Sequence, residues 1–233
     1  MSGTSLDGLD IAYCSFEFSE NKWVSKINEA ITIHFPNNLK ENLKTAINMN
    51  GLDLMKLDNQ LGDFIGQSVN DFISEKNIDL IQIDCISSHG HTIFHQPEIN
   101  LTTQIGNGAN ISTITRLPVV CNLRTTDVAL GGQGAPLVPI GDQLLFSEYD
   151  VCINLGGIAN ISFEERAQRI AYDICPVNIV LNKLSQELGF EYDESGKMAK
   201  TGKIETTLLK QLNSLNYYQE LHPKSLGIEW IDN

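Results

Sequence analysis

The chain has no apolar run approaching the roughly 18 residues of a membrane-spanning helix, and positive charge is scarce. Its 16 Lys and Arg stand against 29 Asp and Glu, a formal net charge of −13. That balance argues against the phosphate attraction on which nucleic-acid binders depend, so neither nucleic acid nor membrane is expected as a partner. Any phosphate site must work through backbone amides, a metal or a few well-placed cations. There is no C-x-x-C pair. The cysteines (Cys14, Cys85, Cys121, Cys152, Cys175) are scattered and odd in number, which argues against a disulfide framework. Four of them lie in or beside apolar strand-like runs and are expected as buried thiols in a reducing cytosol. The first residues are polar rather than basic and then apolar, unlike a signal peptide. Hydrophobic residues make up 42% of the 233 and charged residues 19%, enough for the core of one large domain or two modest ones.

What is present is concentrated first at the start. Met1-Ser2-Gly3-Thr4-Ser5-Leu6-Asp7-Gly8-Leu9-Asp10 runs into the apolar stretch Ile11-Ala12-Tyr13-Cys14. Glycines let backbone amides approach an anion, while hydroxyls and carboxylates can hold Mg²⁺ or its waters. The alternative is an ordinary polar turn before a strand.

Farther along, strand-like and helix-like runs alternate. Residues 9–18 and 30–35 read as strands, with 23–27 a weaker candidate between them. Residues 39–47 read as a short helix and 55–76 as a longer amphipathic one, with Leu57, Leu61, Phe64, Ile65, Val69, Phe72 and Ile73 at helical spacing. A buried strand over 80–87, a helix over 108–114 and a strand over 119–123 follow. The loop Gly131-Gly132-Gln133-Gly134-Ala135-Pro136 is too glycine-rich for an element interior and marks a lobe boundary. Beyond it, residues 151–155 and 158–163 form a hairpin through Gly156-Gly157. A strand over 170–174 then feeds a helix over 177–188 with Pro176 in its first turn, and a last helix spans 204–215. The alternation implies a layered α/β fold. Two lobes that each offer a glycine-containing hairpin to a shared cleft would clamp a phosphate chain from both sides.

Three further groups of residues invite chemistry. His89, His91 and His95 have a spacing that suits a metal. No Cys, Asp or Glu in that segment completes such a site, so contacts to a hydroxylated ligand fit it better. Arg124 and Asp127 follow a strand end, where ligand-contacting groups gather; a surface salt bridge explains them equally well. Asp173 ends an apolar strand just before a helix. Partial desolvation raises its pKa and the helix N-terminus lowers it, a balance that suits a general base; N-capping is the commoner role for such a residue.

Taken together, Gly3-Thr4-Ser5-Leu6-Asp7-Gly8-Leu9-Asp10, Ser88-His89-Gly90-His91-Thr92, Gly131-Gly132-Gln133-Gly134-Ala135-Pro136-Leu137-Val138-Pro139, Asn154-Leu155-Gly156-Gly157-Ile158-Ala159-Asn160-Ile161 and Pro223-Lys224-Ser225 occur in an order that resembles the anhydro-N-acetylmuramic acid kinases. The resemblance covers the whole chain. It implies a two-lobed actin/hexokinase-like (ribonuclease-H-like) fold with a central mixed sheet in each lobe. Residues 1–128 would be the N-terminal lobe with the phosphate loop and sugar-side segments, and 129–233 the first part of the second lobe. It further implies a cytoplasmic enzyme of peptidoglycan recycling that uses ATP and Mg²⁺. Water opens the 1,6-anhydro bridge of the amino sugar while O6 takes the γ-phosphoryl group. By motif position Asp173 is the base. Gly3, Thr4, Ser5, Leu6, Asp7, Gly8, Leu9 and Asp10, with Gly156 and Gly157, form the ATP phosphate site, with Mg²⁺ near Asp7. His89, Arg124, Asp127 and Asn178 line the sugar side, and a homodimer is compatible with the family.

The sequence departs from the family pattern in places. Cys175 and Val177 stand where glycines are usual, His91 where Gln is usual and Asn122 where Asp is frequent. Family members also run longer, so truncation at both ends and an incomplete second lobe are expected, with the adenosine-binding segment missing and the isolated chain inactive or nearly so. The rival readings are a truncated non-catalytic sugar-binding homologue and, more distantly, a glycosidase that needs no ATP.

Overall fold

A computed structural model describes residues 2, 6, 8–222, 224–226 and 228–231. The expected phosphate-loop residues Gly3, Thr4, Ser5 and Asp7 lie outside these. The chain forms two compact units, Met1–Leu137 and Val138–Asn233, both of mixed α/β structure. Among the described residues no helix is long and apolar enough to cross a membrane.

The first unit opens with an antiparallel hairpin, β1 (Leu9–Ser19) and β2 (Lys22–Ile33). Its two-residue turn, Glu20-Asn21, has positive φ at both positions, as hairpin twist favours. The weak candidate over 23–27 is thus the first half of one long strand. Helices α1 (Asn37–Thr45) and α2 (Gly51–Glu75) follow. The α2 start is fixed by Asn50, whose side chain accepts from the Asp53 amide at 3.0 Å. Leu57, Leu61, Ile65, Val69, Phe72 and Ile73 are buried on one face of α2, as their spacing predicts.

Helix α3 (Gly108–Thr115) packs against α2 where Gly62 and Gly66 leave room. A Cβ on Gly62 would fall 2.7 Å from the Asn107 carbonyl oxygen, so only glycine permits that approach. Asn107 caps α3 by accepting from the Ala109 and Asn110 amides, and its own amide donates to the Asp58 carbonyl. Short strands β3 (Ile86–Ser87) and β6 (Val119–Val120) pair in parallel, and β4 (His91–Gln96) and β5 (Leu101–Ile105) pair antiparallel. Helix α4 (Thr125–Ala129) precedes the glycine-rich loop.

Two expectations fail here. The buried strand over 80–87 is instead a 3-10 turn at Leu80–Gln82, followed by a strand of only two residues. Asp79 accepts from the Ile81 amide and holds the turn, and Ile81 is 88% exposed. Charges at Asp79 and Asp84 interrupt what reads as a continuous apolar run. The β4–β5 hairpin was not read at all, because its strands mix Thr, Gln and His with few apolar residues. The strand over 119–123 likewise shortens to two residues, and Asn122 turns the chain with a φ of 57°.

In the second unit, α5 (Val138–Leu145) is followed by the antiparallel meander β7 (Val151–Leu155), β8 (Ile158–Glu165) and β9 (Gln168–Pro176). β7 and β8 are joined by Gly156-Gly157, as expected. Then come α6 (Asn178–Glu187), α7 (Lys197–Thr201), α8 (Thr206–Asn213) and α9 (Ile228–Ile231). Pro176 is the last residue of β9 rather than part of the helix. Helix α5 meets the sheet through polar groups. The Ser162 hydroxyl donates to Asp142, Arg169 Nη2 donates to Ser162 Oγ at 2.8 Å, and Arg169 lies 3.8 Å from Asp142.

The described strands therefore form three two-stranded sheets in the first unit and one three-stranded sheet in the second, not one central mixed sheet in each. All five cysteines are free, but none is buried: Cys85 is exposed and the others are partly exposed.

Candidate functional site

The chain leaves β3 through Ser88-His89-Gly90 and turns into β4. Gly90 has a φ of 70°, and a Cβ there would fall 2.3 Å from the Ile105 carbonyl oxygen, so the tight turn requires glycine. This turn presents His89. Arg124, just before α4, donates from Nε to His89 Nε2 at 3.0 Å. A guanidinium can only donate, so His89 Nε2 carries the lone pair and Nδ1 the proton, which it gives to the Gly90 carbonyl at 3.1 Å. The ring is neutral. Burial lowers its pKa, and the Arg124 charge lowers it further against the opposing bond to Gly90.

Arg124 Nη1 donates to the Gly134 carbonyl at 2.7 Å, and the Gly134 amide donates to Asp127 Oδ2 at 2.6 Å. Gly132 sits so close that a Cβ would overlap the Asp127 carboxylate at 2.3 Å. Arg124 and Asp127 thus anchor the glycine-rich loop from both of its polar edges instead of pairing with each other. The fully buried Val128 fixes α4 beneath them. Arg124 is half-buried, and desolvation alone lowers its pKa. No carboxylate among the described residues offsets its charge, a setting that favours an anionic group nearby.

Beside this network lies a polar cavity of about 270 Å³, lined by Asp58, Ser88, His89, Gln104, Asn107 and Asn122 among others. Gln104 Nε2 donates to Thr102 Oγ1 at 2.9 Å, while its Oε1 is buried with no partner among the described residues. A larger cavity of about 1030 Å³ lies between β1, α2 and residues 78–90. It is mainly apolar, and among the described residues it touches the predicted phosphate site at Leu9 and Asp10.

The three histidines diverge. His91 Nδ1 lies 3.0 Å from Ser2 Oγ in a buried pair, and His95 Nδ1 lies 3.1 Å from Thr102 Oγ1. Of the described phosphate-loop residues, Leu6 and Leu9 are in the core, and Asp10 Oδ1 accepts from Thr32 Oγ1 at 2.6 Å. Gly8 faces Thr32 and Ile33 too closely for any side chain.

In the second unit the carbonyls of Gly156 and Gly157 accept from the first amides of α6. Val177 and Ile179 donate to Gly157 at 2.9 and 3.1 Å, and Asn178 donates to Gly156 at 3.3 Å. These bonds satisfy amides that a helix start leaves open. A Cβ on either glycine would make ordinary van der Waals contact, at 3.7 Å from the Ile158 carbonyl oxygen for Gly156 and 3.8 Å from Ile179 Cβ for Gly157. Asn178 is exposed at the first position of α6. Neither Cys175 nor Val177 has positive φ, so neither backbone position demands glycine.

Asp173 is neither at the strand end nor a helix cap; Val177 occupies the cap position. It lies inside β9 at a β-bulge. Ala159 pairs with Cys175 and Asn160 with Asp173, which leaves Ile174 as the extra residue. Its Oδ2 accepts from the Leu226 amide at 2.9 Å, and Oδ1 has no hydrogen-bond partner among the described residues. Burial raises its pKa above the ordinary carboxylate value, and the Leu226 bond opposes that only in part. Leu226, Tyr217 and Gln104 were missed in the sequence. Only the nearby Pro223-Lys224-Ser225 motif pointed toward the first.

A family model described as anhydro-N-acetylmuramic acid kinase matches residues 1–232. The anhydro-N-acetylmuramic acid kinase of Shewanella amazonensis is 36% identical over the whole of this chain and 65% of its own length. That of Bacillus cereus is 36% identical over 98% of this chain and 64% of its own length. The chain therefore spans a little under two thirds of these curated relatives.

Proposed function

The chain belongs to the anhydro-N-acetylmuramic acid kinase family, and from that premise we propose that it contributes the sugar side and the catalytic base of an ATP-dependent kinase. The substrate is anhydro-N-acetylmuramic acid, and the product is N-acetylmuramic acid 6-phosphate. The fold is read as two-lobed and actin/hexokinase-like, with lobes at 1–128 and 129–233. A cytoplasmic role in peptidoglycan recycling, with homodimerisation, belongs to the same proposal.

The observation that carries it is Asp173. A partly buried carboxylate with a raised pKa and one oxygen that has no hydrogen-bond partner among the described residues suits proton abstraction near neutral pH. Its Oδ1 takes a proton from a water that adds to the anomeric carbon, the bond from that carbon to O6 breaks, and O6 accepts the γ-phosphoryl group of ATP as its bond to the β-phosphate breaks and ADP leaves. No acid is needed at O6, because phosphorylation caps the leaving oxygen. His89 and Asn178 would supply hydrogen-bonding groups for sugar hydroxyl and acetamido groups. The uncompensated charge of Arg124 suits the lactyl carboxylate that distinguishes a muramic acid. Asp127 holds the loop that positions Arg124.

The absence of side chains at Gly156-Gly157 suits close approach by phosphate, and Asp10 is an exposed carboxylate at the start of β1. With Gly3 to Gly8 these residues would hold ATP and Mg²⁺. When bound, that pair supplies the phosphoryl group and neutralises its charge.

Incubation with the anhydro sugar is expected to yield the 6-phosphate, however slowly, only when ATP and Mg²⁺ are both present, as read by ³¹P NMR. Asp173→Asn is expected to lower the rate by about 10² or more, the scale of general-base catalysis. Product formed without ATP, or unchanged turnover by the Asn variant, would overturn the reading.

A further inference from the structure

Asp173 is held almost entirely by one stretch of chain that is distant in sequence. Its amide donates to the Lys224 carbonyl at 3.1 Å, and its carbonyl accepts from the Tyr217 hydroxyl at 2.6 Å. Its Oδ2 accepts from the Leu226 amide at 2.9 Å. In a strand the N–H and C=O of one residue point to the same side. The edge of β9 that faces away from β8 is therefore closed at this residue by the segment carrying Tyr217, Lys224 and Leu226. Two of these contacts fix the backbone at the bulge, and the third engages one carboxylate oxygen.

The segment is itself braced. Lys224 Nζ donates to the Tyr217 carbonyl at 2.9 Å and lies 4.5 Å from the centre of the Tyr217 ring. The Tyr217 ring also packs 5.6 Å from that of Trp230. Tyr217 is buried, and desolvation followed by the nearby Asp173 charge raises its phenol pKa, so it remains a donor.

We propose that Tyr217 and Lys224 are positioning residues for Asp173: they clamp the segment onto β9 so that Leu226 occupies one carboxylate oxygen and the other is presented alone to the reacting water. This rests on the reading of Asp173 as the base. A bulge that re-aims a side chain gains nothing unless the re-aimed residue is then held, and a misplacement of about 1 Å at a reacting centre costs on the order of 10²-fold in rate.

The clamp also controls the environment of the carboxylate. Loosening it hydrates Asp173 and releases the Leu226 bond. Desolvation is the larger influence, so the net change is a pKa that falls toward its ordinary value. Because the base acts ionised, the acid limb of the pH–rate profile should then move to lower pH while kcat falls. A general loss of folded protein would lower the rate without moving that limb.

The test titrates Asp173 by ¹³C NMR in the full chain labelled at aspartate Cγ, with Asp173→Asn to assign the signal. Tyr217→Phe and Lys224→Met are compared for titration, kcat and KM. Each variant should shift the titration of Asp173 downward and lower kcat about tenfold, with KM for the sugar changed by less than about twofold. An unmoved titration in both variants, whether or not kcat falls, would overturn the clamp. If the titration shifts as expected while Asp173→Asn retains full turnover, the clamp stands and the base reading alone fails.

Discussion

Helices α2 and α8 carry apolar residues at the same helical spacing, yet Leu57, Leu61 and Ile65 of α2 are buried while Leu208, Leu209 and Leu212 of α8 are about half exposed. The contrast extends to the two units around them. The contiguous apolar core, from Leu6 and Leu9 through α1 and α2 to Ile111 and Leu117, lies wholly in the first unit. The second unit instead buries Ser162 and Ser185 with Ala159, Tyr217 and Leu226, and its sheet meets α5 through the Asp142–Ser162–Arg169 cluster. A buried ion pair of this kind adds little net stability, because desolvation offsets most of its attraction. The first unit is held by apolar packing; the second is held by directed bonds around its sheet.

The largest test of this contrast is truncation of equivalent leucines. Leu61→Ala removes a side chain with no exposed surface and should lower stability by about 2–5 kcal/mol, the range for cavity-forming changes. Leu209→Ala, at a side chain 47% exposed, should stay within about 0.5 kcal/mol. Each unit contains one tryptophan, Trp23 and Trp230. Urea unfolding followed by fluorescence in Trp230→Phe and Trp23→Phe backgrounds reads the units separately. Equal losses at the two leucines would dissolve the contrast.

A pair of helix-interior glycines sharpens it. Gly62→Ala should destabilise by about 1–3 kcal/mol despite the better helix propensity, because its Cβ meets the backbone of Asn107. Gly141→Ala in α5 meets nothing within 4 Å and should stabilise by about 0.5–1 kcal/mol. Thermal melts that shift in the same direction for both would contradict this.

The smallest effect separates the units by sign. His89, His91 and His95, all in the first unit, have pKa values lowered chiefly by burial. Below pH 6.5 the unfolded state binds more protons than the native one, so acidification weakens that unit until the folded pKa values are passed. Asp173 in the second unit is raised. Its contribution is present below 3.8 and is lost as pH rises through the folded value. Moving from pH 7 toward 4 should therefore lower the urea midpoint reported by Trp23 and hold or raise the one reported by Trp230. Parallel shifts would contradict the assignment.

Much of this was legible beforehand. The α2 face follows from helical periodicity and the β7–β8 hairpin from Gly156-Gly157 between apolar runs, whereas the α2 start, expected at 55, lies at Gly51 behind the Asn50 cap. The readings that failed did so where several residues were summed into one pattern. Residues 80–87 look like a buried strand until Asp79 closes a turn and Asp84 demands water. Asp173 looks like a helix cap until the bulge at Ile174 and three continuing strand residues place it inside β9. In the site, residue types near the strand ends were readable, but their partners were not. Arg124 and Asp127 are three apart and oppositely charged, which suits a salt bridge as well as ligand contact; they bind Gly134 from two sides instead.

The sequence by itself determined the buried face of α2, the glycine turn at Gly156-Gly157, and the family, because local periodicity and short motifs are properties of neighbouring residues. Tertiary structure alone decided which leucines are buried, which tautomer His89 holds, and which carboxylate oxygen of Asp173 is engaged. Each of these depends on groups far away in the chain: Arg124 is 35 residues from His89 and Leu226 is 53 from Asp173. No local pattern encodes them, since burial and hydrogen-bond partners are set by what the fold brings alongside.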